Sequence, residues 1–141
     1  MYKNILTITL LVVLQLVVSI DSFSQCTESA TRILEKDTLT WDDCVQLNEH
    51  KLIYCRTSDC DYNSTFSLKN VNINALVVRN DTGVYILGFS CINESCIYCK
   101  ASIYDCEEVE NSEFIIQFED REVAEEFREY IVNYQKQYLQ G

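Results

Sequence analysis

Apolar residues in this chain fall into three kinds of run, and each predicts a different element. Ile5 to Ile20 is almost unbroken, a leader-like segment without a polar face. From Leu39 to Phe118 the apolar residues come in short β-branched and aromatic blocks between polar turns, the pattern of antiparallel strands. From Val123 onward, Phe127, Tyr130, Ile131, Tyr134 and Tyr138 recur at three- and four-residue steps, one stripe of an amphipathic helix. Glu125, Glu126, Arg128 and Glu129 lie on its other side. Asp120 is placed to N-cap this helix, and Glu122 suits the positive end of its dipole.

The middle region divides further. Cys26 to Lys36 reads as a short helix, too brief to stand alone and tied down by Cys26. Thr38 to Trp41 reads as the start of a strand that Asp42-Asp43 interrupts and Cys44 to Leu47 resumes. Lys51 to Cys55, Ser64 to Leu68, Val71 to Val78 and Phe114 to Phe118 are further strands. Arg79 to Gly83 is a turn.

Gly83 to Cys106 holds four of the eight cysteines and reads as the centre of the sheet. If Cys91 and Cys96 sit opposite each other, Ile92 to Ser95 forms a hairpin loop, with Phe89 facing Tyr98 and Ile86 facing Ala101. Alternation then puts Val84, Ile86, Ile97, Cys99, Ala101 and Ile103 on one face, and Tyr85, Leu87, Phe89 and Tyr98 on the other. Neither face is polar, so this hairpin belongs inside a sheet covered by other elements. The fold class that follows is α+β: a small disulfide-rich antiparallel sheet closed by the C-terminal amphipathic helix.

The segment FIIQFEDREVAEEFREYI, Phe114 to Ile131, resembles the closing strand and C-terminal helix of pleckstrin-homology-like domains. The strands before it fit that family loosely. The resemblance implies a strongly bent sheet or barrel plugged at one end by the helix. It carries over no ligand and no site residues. The basic phosphoinositide-binding loop of the lipid-binding members has no counterpart here, and the family is mainly intracellular and does not depend on disulfides.

The leader changes where the protein is expected to work. Lys3 supplies a basic start, and Ser22-Phe23-Ser24 offers small residues at a cleavage site, so residues 1–24 read as a secretory signal peptide. The alternative is an uncleaved membrane anchor, since the apolar run is near the lower limit for a span. Residues 25–141 then form a single disulfide-stabilised extracellular domain, without a membrane anchor in the mature chain.

All eight cysteines, Cys26, Cys44, Cys55, Cys60, Cys91, Cys96, Cys99 and Cys106, lie in that domain. An even number in an oxidising compartment reads as four disulfides. The favoured local pairs are Cys55–Cys60 and Cys91–Cys96, across two equal spacings, which leaves Cys26, Cys44, Cys99 and Cys106 for longer links. Cys96 and Cys99 also have zinc-ligand spacing, but a second such pair is missing and His50 is the sole histidine.

Without Lys3 and Asp21 of the leader, 10 basic and 21 acidic residues remain of 11 and 22, and the net charge stays at −11. That balance argues against nucleic acid and anionic membranes and favours a basic or neutral partner. Three glycosylation sequons begin at Asn63, Asn80 and Asn93, where composition alone predicts about one. Asn80 and Asn93 fall in expected turns, and Asn63 in a polar stretch, as exposed acceptors require.

These features order the function classes. With His50 in a polar turn, no nucleophile motif and all cysteines paired, the chain is not expected to be an enzyme, and no cofactor or metal is expected. The leading expectation is a secreted, glycosylated module that binds an extracellular protein of unknown identity by surface contact. Tyr85 and Tyr98 on the sheet, and Glu125, Glu126 and Glu129 on the helix, are the candidate interface. An extracellular carrier of a small apolar ligand is the alternative, with the aromatics lining a pocket.

Overall fold

The computed structural model describes residues 26–56, 62–101 and 109–139. The expected leader, Cys60 and Cys106 lie outside the described residues, and with them the Cys55–Cys60 pairing and the link expected of Cys106. Helix α1 spans Glu28–Leu34. Nine strands follow: β1 Cys44–Asn48, β2 Lys51–Cys55, β3 Tyr62–Ser67, β4 Val71–Ile73, β5 Val77–Arg79, β6 Val84–Cys91, β7 Ile97–Ala101, β8 Val109–Asn111 and β9 Glu113–Phe118. Helix α2 spans Arg121–Leu139. The fold is α+β, with two antiparallel sheets and a C-terminal helix; among the described residues the sheets do not close into a barrel. One sheet runs β1-β2-β3-β7-β8, and the other is built around β6, with β4 and β5 along one edge and β9 along the other.

The short helix is tied to β1 in two ways. Cys26 is bonded to Cys44, with Cα atoms 5.5 Å apart. Alongside, the Thr27 N–H donates to the Val45 carbonyl at 2.6 Å, and the Leu47 N–H donates to the Thr27 hydroxyl at 2.8 Å. Thr27 and α1 thereby cover an edge that β1 would otherwise leave open.

The expected β6–β7 hairpin does not form. β6 pairs with β4, β5 and β9, whereas β7 lies between β3 and β8 in the other sheet. Phe89 faces Ile73 and Phe114, and Tyr98 faces Thr65 and Glu110. Cys91 and Cys96 are bonded as expected, with Cα atoms 5.8 Å apart. Their disulfide staples a corner where the chain passes from one sheet to the other. Each strand is central in its own sheet, but only one face of each is fully covered: β6 buries Leu87 and Phe89 and β7 buries Ile97 and Cys99, while Tyr98 on the other face of β7 is exposed.

Val71 to Val78 is interrupted. Between the pairs Ile73–Phe89 and Val77–Ile86, three residues of this edge oppose two of β6, a bulge. Gly88 lies close under this bulge: a Cβ on it would stand 3.1 Å from the Asn74 side-chain nitrogen, which donates to the Ser90 hydroxyl, so a larger residue would push that side chain aside. The turn before β6 has the expected form, with the Gly83 N–H bonded to the Arg79 carbonyl at 2.8 Å and Gly83 at φ 70°. Thr38 to Trp41 is a turn rather than a strand.

One core serves both sheets. Phe66 contacts Phe89 and Phe114 at 5.2 and 5.7 Å between ring centroids, and Tyr54 contacts Phe114 at 5.4 Å. Helix α2 starts on Asp120, whose Oδ1 accepts the Glu122 N–H at 2.8 Å. Its stripe buries Val123, Phe127 and Ile131, with Phe127 5.9 Å from Phe118. From its flank Arg128 donates to the Asn74 carbonyl at 2.7 Å, and Gln135 to Leu68 and Val71 carbonyls at 2.7 and 3.1 Å. The helix thus satisfies edge carbonyls around β4 as well as covering the core.

Candidate functional site

The turn from Asp37 to Asp43 alternates between anchored and presented side chains. Asp37 and Thr40 are buried, while Leu39 is 49% and Trp41 64% exposed. Asp37 Oδ1 accepts the Leu39 N–H at 2.9 Å, which bends the chain after it. The Thr40 hydroxyl donates to the Leu34 carbonyl at 2.7 Å, and the Asp43 N–H to the Thr40 carbonyl at 2.9 Å. The Asp37 carboxylate also accepts the Glu119 and Asp120 N–H groups, so the turn is fixed to the β9–α2 junction. The chain's sole tryptophan is therefore held out to solvent by a rigid turn.

Beside this turn lies an open cleft of about 170 Å³, with Leu39, Thr40, Asp43 and Tyr54 on one side and Ile115 to Gln117 of β9 on the other. The Tyr54 hydroxyl donates to Asp43 Oδ2. Burial pushes the Asp43 carboxyl up to about 6, against the opposing pull of the Tyr54 hydrogen bond and the Arg56 charge. Burial and the adjacent Asp43 charge both push the Tyr54 phenol upward. At neutral pH the pair is a carboxylate accepting from a neutral phenol. Ile115, 39% exposed, extends the apolar rim.

The residues expected at an interface are not brought together. Tyr98 is exposed on the five-stranded sheet, whereas Tyr85 sits in the other sheet, half-buried and packed against the core. They do not share a face, because the hairpin that would align them is absent. Glu125, Glu126 and Glu129 are exposed on α2. Two of them hold surface ion pairs, Glu125 with Arg121 at 2.9 Å and Glu126 with Lys36 at 3.0 Å. Asn80 and Asn93 are exposed in turns. Asn63 instead lies within β3, where its side-chain oxygen accepts from the Thr65 hydroxyl at 3.5 Å.

Cys96 and Cys99, whose spacing would also suit zinc, are held in disulfides: Cys96 is joined to Cys91, and Cys99 is disulfide-bonded, as is Cys55. No described cysteine is a free thiol, and no three described His, Cys, Asp or Glu residues cluster as metal ligands. No helix among the described residues is long and apolar enough to cross a membrane.

Sequence reasoning missed Leu39 and Trp41. A Thr-Leu-Thr-Trp run carries strand propensity, which hid the signal of an aspartate able to bend the backbone two residues before Leu39. Compared with known proteins, the chain matches no family model, no curated protein and no solved structure. The pleckstrin-homology-like resemblance therefore rests on the strand–helix segment alone.

Proposed function

We propose that the chain is a secreted, glycosylated binding module acting by surface contact with an extracellular protein partner. The observation that carries this reading is Trp41, exposed on a turn anchored by the buried, hydrogen-bonded Asp37 and Thr40. An aromatic side chain held rigidly in water loses little entropy on binding and buries a large area, the character of an interface hot spot. The leader, the disulfides and the exposed sequon turns at Asn80 and Asn93 support the extracellular setting. The rings of Tyr54, Phe66, Phe89 and Phe114 pack against one another between the sheets, which favours surface contact over an enclosed apolar ligand.

Affinity capture of extracellular proteins on the glycosylated, disulfide-bonded domain tests the reading. A protein retained saturably, and bound again after purification, supports it. Retention of none contradicts it, and a small apolar molecule co-purifying with the domain would turn the reading to a carrier.

A further inference from the structure

Among the described residues, no strand pairs with the outer edge of β9. On the β4 side of β6, the Gly88 carbonyl accepts the Asn74 N–H at 2.9 Å. Gly88 faces Ile115 across the β6–β9 pair, so that pair is not hydrogen-bonded. The N–H and C=O of Ile115 consequently point away from β6, as do those of Glu113 and Gln117. The next group in this row, the Glu119 N–H, is taken by the Asp37 carboxylate at 3.0 Å. Asp37 stands where a neighbouring strand would end, and the Ile115 and Gln117 groups open onto the cleft beside the Trp41 turn.

We infer that β9 takes an extended, basic and apolar segment of the partner protein as an added strand, with the Leu39–Trp41 turn clasping it. This rests on the binding-module reading above. Strand addition is directed by a row of unpaired main-chain groups, with flanking side chains setting specificity. Leu39 and Ile115 line the cleft as its exposed apolar groups, and Trp41, two residues on in the same turn, is exposed beside α1. Charge complementarity supplies the basic requirement: Glu35 and Asp42 stand near Trp41 beside the Glu28–Arg32 ion pair, Glu113 flanks the edge, Asp43 faces the cleft with Arg56, and the whole chain carries −11. On the opposite side of this sheet, β5 is only three residues long and is followed directly by the Asn80 sequon.

Trp41 is the sole tryptophan, so its emission reports occupancy of this surface directly. The probes are short blocked peptides alternating Lys or Arg with Val, Ile or Leu, each paired with a version N-methylated on alternate residues. Saturable change in Trp41 emission is expected with the parent peptides and loss of that change after N-methylation, which keeps the charge and removes the donors. Gln117→Pro removes an outward N–H without touching the β6 ladder and is expected to weaken binding by about tenfold. Should that variant fold poorly, Ile115→Lys, on the exposed face, tests the same edge through charge repulsion. Equal response to the N-methylated peptides, no response to any of them, or an emission change set by protein concentration alone, as for a second copy, overturns strand addition. A captured partner that binds Gln117→Pro like the unaltered protein sinks only this inference; failure to capture any partner sinks the reading beneath it.

Discussion

Asp37 and Glu119 lie 82 positions apart, and both oxygens of the Asp37 carboxylate accept the Glu119 N–H, at 3.2 and 3.0 Å. The same buried carboxylate accepts the Asp120 N–H at 2.8 Å and the Leu39 N–H at 2.9 Å. One side chain thus joins the Trp41 turn, the end of β9 and the start of α2. Asp37→Ala would strand several donors, and a loss of about 2–4 kcal/mol is expected. Asp37→Asn should cost less, because one acceptor oxygen survives. Denaturant midpoints at unchanged slope measure both, and an unaltered midpoint for Asp37→Ala would refute the brace.

Asp43 gives the fold a pH dependence of definite sign. Its carboxyl ordinarily titrates near 3.8, and burial raises it to about 6 in the folded state. Below the lower value both states are protonated, and the folded form bears no penalty. Above the higher value both are ionised, and the folded form holds a half-buried charge. The stability associated with this group is therefore present in acid and is lost as pH rises through about 6. Because the site is open to solvent, the difference is expected to be only about 1 kcal/mol. Asp43→Asn should remove it from a series of unfolding curves between those limits; an unchanged profile would contradict the assignment.

Phe127 and the helix glutamates separate folding from association. Phe127 is fully buried against Phe118, so Phe127→Ala should cost about 3–5 kcal/mol and sharply reduce secretion. Joint replacement of Glu125, Glu126 and Glu129 by Gln should leave unfolding nearly unchanged, since their ion pairs are exposed. If their charge steers a basic partner, the triple variant slows association and flattens its salt dependence. Association at the unaltered rate would remove the acidic helix face from recognition.

Covalent chemistry is checked by mass. Non-reducing peptide maps of secreted protein should contain Cys26–Cys44 and Cys91–Cys96. Enzymatic deglycosylation should convert Asn63, Asn80 and Asn93 to Asp. Asn63 is the informative site, because its backbone is paired with β2 and β7, and an unmodified Asn63 would place that strand out of reach of the modifying enzyme.

Local physics made much of the fold legible in the residues. The stripe from Val123 to Ile131, the Asp120 cap and the Arg79–Gly83 turn depend on neighbours within a few positions, and each takes the expected form. Partner choice between strands does not. Leu87, Phe89 and Ile97 are buried whether β6 and β7 pair or lie in separate sheets, and a Cys91–Cys96 bond satisfies both arrangements. The Trp41 turn was hidden for a related reason: its brace on Asp37 comes from residues 82 and 83 positions away. Of the candidate interface, exposed Tyr98 and the glutamates were legible, and the opening of the β9 edge was not, because it depends on which strands β6 accepts.

The most direct measurement is the dissociation rate of the glycosylated protein from its captured partner, compared with Trp41→Ala. Trp41 is 64% exposed and lies outside the buried core, so the variant should fold normally. Dissociation faster by about tenfold or more is expected if this turn is the centre of the contact. Equal dissociation rates, with the partner still bound specifically, would contradict it.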